Sequence, residues 1–217
     1  MKKNSLLTTL AAFIFVLITV AAIPLAKNFN GKIHYKISTN LPADHPYAEM
    51  MPQQAVYTIA DEKIKMDVSP TAPGAGAIYL NSKELTMRML LDVPGNKFQV
   101  IMDEDYKLRE QDQAQVQYIK ETRNIAGYKC QKALIISDVD TTEVWYTDKV
   151  NVLNGGGMWN KLKGFPLEFT MHQDGSTLSY TATKVEESKI DAAEVLIPEG
   201  YVPVTMQQLQ ALFSDEE

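Results

Sequence analysis

The sequence predicts a mainly β fold, in which a curved antiparallel sheet or half-barrel carries short helices over its concave face. Three observations indicate it. Apolar and polar residues alternate along most of the chain after residue 28. Turn residues such as Asp174-Gly175 separate the alternating runs. The chain shows no repeat with a period of about 20–50 residues, which disfavours a propeller or solenoid. A sheet of roughly ten strands is expected to curl or close.

Several short runs in the first half predict strands. The pattern indicates one strand over 29–37, a hairpin over 55–60 and 63–69, a short run over 77–80 after a loop at 70–76, and two further strands over 85–93 and 98–102. The runs over 29–37, 63–69, 85–93 and 98–102 place apolar residues at every second position, as in a strand with one buried and one solvated face.

The second half predicts five more strands and a terminal helix. The strands are expected over 116–122, 128–136, 141–147, 165–173 and 176–186.

The last segment has a helical pattern. Thr205 and Gln208 have the spacing of a capping box, and Leu209, Leu212 and Phe213 fall on one helical face. Residues 206–213 are therefore expected to form a short helix that packs on the sheet.

The N-terminus has the features of an export segment. Lys2 and Lys3 precede an uncharged, strongly apolar run over residues 5–26. Small residues near its end permit cleavage, as in a signal peptide, whereas its length of about 22 residues also suits a membrane span. We expect residues 1–26 to be a signal peptide or an N-terminal membrane anchor. Either outcome places residues 27–217, a single β-rich domain, on the periplasmic or extracellular side of a bacterial envelope.

The charge of the chain limits its partners. The formal net charge is −6, and it becomes more negative once the first two lysines are set aside. Nucleic acids and anionic lipid surfaces select basic proteins, so the sequence predicts no nucleic-acid partner. With one cysteine, the chain cannot form an intramolecular disulfide, and its core must hold the fold.

No residue pattern indicates catalysis, a metal site or a cofactor. His34, His45 and His172 have no second His or Cys at a metal-ligand spacing. Cys130 shares a predicted strand face with apolar residues, which favours a buried side chain over a nucleophile. The sequence also lacks a Gly-x-Ser-x-Gly elbow. We therefore interpret the protein as not an enzyme.

Two groups of residues suggest an apolar ligand. Five methionines lie on predicted strands and either line an adaptable cavity or fill an irregular core. Gly155, Gly156 and Gly157 precede an apolar cluster that is either a hinged lid over a pocket or a loop pinned to the core. The candidate ligand-binding residues are Met66, Met87, Met89, Met102, Met158, Trp159, Leu162 and Met171.

Five short motifs carry a resemblance to a known group. In chain order they are AEMMP at 48–52, IAGYKC at 125–130, EVWYT at 143–147, GFPLE at 164–168 and PEGY at 198–201. Their succession resembles bacterial envelope proteins with a domain of unknown function, which are similar to the lipoprotein-carrier (LolA-like) fold. The resemblance implies a curved sheet, an envelope location and an apolar-ligand cavity, and it implies no catalytic residue.

These features support two functional hypotheses. The first is an exported envelope protein that binds a lipid or other apolar ligand in a cavity of the sheet. The second is a membrane-tethered accessory or structural subunit of an envelope protein complex.

Overall fold

The computed structural model describes residues 28–42, 44–46, 48, 51–70, 74–103, 114–137, 140–156, 159–173 and 176–214. The segment expected to be a signal or anchor lies outside these residues. Among the helices described, none combines the length and hydropathy needed to cross a membrane.

In the described part of the chain, twelve strands form one open sheet in the order β12-β6-β5-β4-β3-β2-β1-β11-β10-β9-β8-β7. All neighbours are antiparallel except β12, which runs parallel to β6. The strands are β1 (Gly31–Thr39), β2 (Gln54–Ala60), β3 (Lys63–Ser69), β4 (Ala75–Asn81), β5 (Thr86–Val93), β6 (Asn96–Ile101), β7 (Gln115–Ile125), β8 (Tyr128–Ile136), β9 (Thr141–Thr147), β10 (Phe165–Gln173), β11 (Ser176–Glu187) and β12 (Val202–Thr205). The predicted mainly β, antiparallel fold is confirmed.

Two strands differ from the sequence prediction. Strand β4 begins at Ala75, inside a segment that looks like a loop because it is rich in Pro and Gly. Strand β12 has only four residues and includes Pro203, and it pairs with residues about one hundred positions earlier. The pairing of β4 with its neighbours β3 and β5, and the long-range pairing of β12 with β6, therefore make strands of segments whose composition alone does not indicate them.

The core lies on one face of the sheet, here called the inner face. Its larger cluster is centred on β1, β2 and β8 to β11, where Ile33, Val144 and Phe169 are almost fully buried. A second, smaller cluster at the other end of the sheet contains Phe98, Val100, Val204 and Leu209.

The terminal helix α1 (Met206–Ser214) forms where the capping pattern predicts it. The Thr205 Oγ1 accepts a hydrogen bond from the Gln208 backbone N–H at 3.1 Å, and the Gln208 Oε1 accepts one from the Thr205 backbone N–H at 2.9 Å. These reciprocal bonds satisfy two donors at the helix start. Leu209 packs against the smaller cluster, while Leu212 and Phe213 remain about half exposed.

Two buried tyrosines of the core differ in how their hydroxyls are satisfied, which leads to a testable difference. The Tyr35 hydroxyl donates a hydrogen bond to the Pro166 carbonyl at 2.7 Å, whereas the Tyr57 hydroxyl has no hydrogen-bond partner among the described residues. Burial and the neighbouring Tyr180 both raise the pKa of Tyr57. Tyr57→Phe should therefore leave the free energy of unfolding unchanged or raise it by about 1 kcal/mol, because it removes a desolvated group that gains no bond.

The matched substitution Tyr35→Phe should lower the free energy of unfolding by about 1 kcal/mol, since it leaves the Pro166 carbonyl unsatisfied. Urea unfolding followed by circular dichroism measures both values. A larger loss for Tyr57→Phe than for Tyr35→Phe would contradict this assignment.

Candidate ligand-binding site

The candidate site lies at one end of strands β8, β9 and β10, on the inner face. Ile135 pairs with Thr142, and Ala133 pairs with Val144, which in turn pairs with Phe169. Residues two apart on a strand share a face, so Met171 lies beside Thr142 in the row that also contains Ile135.

The chain between β9 and β10 covers these rows. Val150, Val152, Trp159 and Leu162 are all buried there. A 3-10 turn, Leu153–Gly156, is followed by a hydrogen bond from the Trp159 N–H to the Gly155 carbonyl at 3.2 Å. This segment therefore brings apolar side chains against the sheet immediately before β10 begins.

Trp159 is held by an aromatic cluster. Its ring centroid lies 4.8 Å from that of Phe169, which stacks on Tyr180 at 4.7 Å and contacts the edge of Tyr35 at 5.7 Å. Aromatic pairs at these separations contribute about 0.5–1.5 kcal/mol each beyond their buried area. Trp159 is thus fixed to the core through Phe169.

Beside Trp159 the structure contains a cleft of about 310 Å³. Its apolar lining is provided by Ile135, Trp159, Leu162 and Met171 together with Ala114, and its polar lining comes from Thr142, Asn160, Lys161, Thr170 and His172. Ligand sites generally combine apolar walls with a few polar groups in this way, and their volumes start near ~300 Å³. The geometry suits one small ligand or one end of a longer one.

The structure brings together three of the candidate ligand residues, Trp159, Leu162 and Met171. Met66 and Met87 are buried in the larger cluster, Met89 packs on the smaller cluster, and Met102 packs against both. Met158 lies outside the described residues. Whether any of these side chains contacts a ligand stays a prediction, but the seven described residues do not form one continuous lining.

The glycines before Trp159 are required by close packing. Gly155 and Gly156 have φ values of +56° and +66°, and an added Cβ would lie 2.6 Å from the Asn160 N and 2.6 Å from the Ile64 Cδ1, respectively. Side chains are strained at such φ values. Of the two readings of this segment, the described residues favour a loop pinned by Trp159.

Ile135 and Thr142 are lining residues that sequence reasoning did not single out. Each looks like an ordinary strand residue, and only the β8–β9 register places the two side by side. A row of this kind can be found only after the strand pairing is known.

Cys130, His34 and His172 each lie against a neighbouring group in the structure. Burial raises the pKa of the Cys130 thiol to about 11, and its Sγ donates to the Tyr128 carbonyl at 3.6 Å. The His34 Nε2 lies 2.8 Å from Glu186 Oε2, and the His172 Nε2 lies 3.3 Å from Asp140 Oδ2. Within the described part of the chain, no group of three or more His, Cys, Asp or Glu residues is arranged to hold a metal ion.

Solved structures of PNGF-II share this fold. A structure of PNGF-II in space group P21 aligns with a TM-score of 0.54 at 16% identity, over 85% of this chain and 33% of that chain. A second PNGF-II structure, in space group C2, aligns with a TM-score of 0.52 at 17% identity, over 84% and 32%. This chain therefore spans about a third of the length of PNGF-II.

A weaker likeness is found to the Mycobacterium tuberculosis lipoprotein LppX, with a TM-score of 0.39 and 8% identity over 75% of this chain and 89% of that one. At this score the likeness supports no inference. The comparison with curated proteins finds no match.

The comparison with protein families identifies the family of this chain. The family described as "N-glycanase peptide, N-terminal domain" matches residues 44–204, which is most of the chain. The resemblance to lipoprotein carriers stays a prediction, since the match is to this other family. The chain belongs to the N-glycanase peptide, N-terminal domain family.

Proposed function

We propose that this protein is an exported, non-catalytic envelope protein that binds an apolar or lipid ligand in the cleft beside Trp159. The observation that supports the proposal best is the convergence of Trp159, Leu162 and Met171 with Ile135 on a space of about 310 Å³. These side chains come from three separate segments of the chain, and apolar surfaces that converge around free space are the usual form of a ligand pocket.

The packing of the inner face supports one location for such a ligand. The centre of the inner face is filled by side chains such as Tyr35, Phe165 and Phe169, each at most 2% exposed. Protein interiors at this density do not admit a ligand without rearrangement. The proposed site is therefore the cleft at the end of β8 to β10, and only part of a long acyl chain would fit within it.

The non-catalytic role is supported by the environment of Cys130. Its thiol is fully buried and its raised pKa keeps it protonated at neutral pH, whereas a nucleophilic cysteine needs an accessible thiolate. The family is described as an N-terminal domain of an N-glycanase peptide, and this chain spans about a third of the length of PNGF-II. We expect no release of glycan when the purified protein is incubated with an N-glycosylated peptide.

A polar substitution in the cleft tests the proposed site. Met171→Gln should weaken binding of octan-1-ol about tenfold, which corresponds to roughly 1.4 kcal/mol. The bound ligand would shield the new amide group from water without offering it enough hydrogen bonds in return. Isothermal titration calorimetry measures the affinity. Met206→Gln is the control, since Met206 is exposed on α1 and lies outside the cleft. Equal affinities for the native chain and the Met171 variant would contradict the proposed site.

A second function is favoured by the comparison with PNGF-II. In PNGF-II the shared fold occupies about a third of a longer chain, so in that protein it is joined to further polypeptide. The protein would then be an accessory or structural subunit of an envelope complex, tethered through residues 5–26. Co-purification of a partner from detergent-solubilised membranes, together with N-terminal sequencing that finds residues 1–26 intact, would favour this role over a free ligand carrier.

A further inference from the structure

We infer that the inner face carries a second, basic site that binds an oxyanion, such as a phosphate or sulfate group of a ligand. The site is a cavity of about 520 Å³ at the opposite end of β8 and β9 from the apolar cleft. Three lysines from three different segments line it: Lys120 on β7, Lys129 on β8 and Lys163 just before β10.

The register of three strands brings these residues together. Thr122 on β7 pairs with Gln131 on β8, and Gln131 pairs with Tyr146 on β9. This row is two residues away from the row of Ala133 and Val144 and therefore lies on the same inner face. Lys129 is two residues before Gln131, so it extends the floor of the cavity.

Lys163 lines the cavity from the segment just before β10. Its Nζ lies 4.8 Å from the centroid of the Tyr118 ring, and that ring packs against Tyr146 at 5.6 Å. The next residue, Gly164, lies so close to β9 that an added Cβ would be 2.1 Å from the Thr147 carbonyl oxygen. This close approach holds the chain at Lys163 beside the end of β9.

The charge of the cavity contrasts with that of the whole protein. In the described chain, no carboxylate forms an ion pair with Lys120, Lys129 or Lys163. The one acidic lining residue, Asp148, pairs with Lys149 at 3.8 Å. The cavity therefore carries excess positive charge in a protein whose formal net charge is −6.

Neighbouring cations repel one another unless an anion lies between them, and an oxyanion can accept charge-assisted hydrogen bonds from several ammonium groups. Gln131 and Tyr146 add polar groups to the floor, where the Tyr146 hydroxyl donates to Gln131 Oε1 at 3.0 Å. The cavity is much larger than a phosphate ion, so the oxyanion is expected to be one group of a larger ligand. This site does not depend on the apolar cleft.

Binding of three probes tests the assignment: inorganic phosphate, dihexanoyl phosphatidic acid and dihexanoyl phosphatidylcholine. The double substitution K120Q/K129Q should weaken binding of the anionic probes about tenfold, and 0.5 M salt should weaken binding to the native chain, because the lysines are exposed. The control K83Q/K189Q makes the same charge change at exposed lysines outside this cavity and should retain native affinity.

The probes separate the sources of the oxyanion. Binding of phosphatidic acid without inorganic phosphate would support a lipid headgroup, and binding of both would support recognition of the oxyanion itself. No binding of either anion, stronger binding of phosphatidylcholine than of phosphatidic acid, or an equal loss in the control would overturn the inference. Met171→Gln should leave phosphate binding unchanged, so that failure of the apolar cleft and failure of this site can be distinguished.

Discussion

Phe169→Ala should lower the free energy of unfolding by about 3–5 kcal/mol, as expected when a buried phenylalanine is removed from a core. Phe169 is 1% exposed, and its ring contacts Tyr180, Trp159 and Tyr35. The substitution removes all three ring contacts and leaves a cavity beneath the Trp159 segment.

Urea unfolding measures this loss, and Phe213→Ala provides its control. Phe213 is 50% exposed on α1, so the same truncation should there cost less than about 0.5 kcal/mol. Similar losses for the two variants would show that the aromatic cluster does not hold the β9–β10 segment against the sheet.

Gly164→Ala should be destabilising by about 3 kcal/mol, the upper part of the usual range for overpacking. The added Cβ would lie 2.1 Å from the Thr147 carbonyl oxygen and 2.7 Å from its carbon. These are backbone atoms at the end of β9, so the strand itself would have to move.

Gly95→Ala separates steric overlap from backbone strain. Gly95 has a φ of +81° with no atom within 4 Å of the added Cβ, so its cost is limited to about 1–2 kcal/mol for the left-handed conformation. Thermal unfolding of both variants gives the comparison. A smaller loss at Gly164 than at Gly95 would contradict the close approach of Gly164 to the end of β9.

Local alternation was sufficient to predict much of the sheet. The bounds of β8, β9 and β10 agree with the runs over 128–136, 141–147 and 165–173. The alternation is incomplete in β9, where Val144 to Thr147 are all buried, but the turn residues at 137–140 mark in the sequence where β8 ends and β9 begins. Strand β12 could not be predicted in this way, because its pairing with β6 is a long-range contact.

The candidate cleft was predictable only in part. Trp159, Leu162 and Met171 stand out as large apolar residues near a glycine run, whereas Met66 and Met87 have the same chemistry but fill the core. Residue type does not distinguish a methionine that lines a cleft from one that fills a gap. That distinction depends on which segments cover each row of the sheet.

The basic cavity could not be predicted at all from composition. The acidic net charge argues against anion binding, and Lys163 is more than thirty residues from Lys120 and Lys129 in sequence. They converge through the pairing of β7, β8 and β9. A local site of one charge is therefore compatible with a protein of the opposite charge.

Fluorescence quenching at Trp159 tests the proposed apolar site most directly. The chain has two tryptophans, and Trp145→Phe leaves Trp159, which lines the cleft, as the remaining one. Titration with 8-bromo-octan-1-ol should quench its fluorescence in a saturable manner, because the bromine atom must contact the indole, and Met171→Gln should shift the curve to higher concentration. A linear response no stronger than that of free tryptophan in solution would contradict an apolar ligand site beside Trp159.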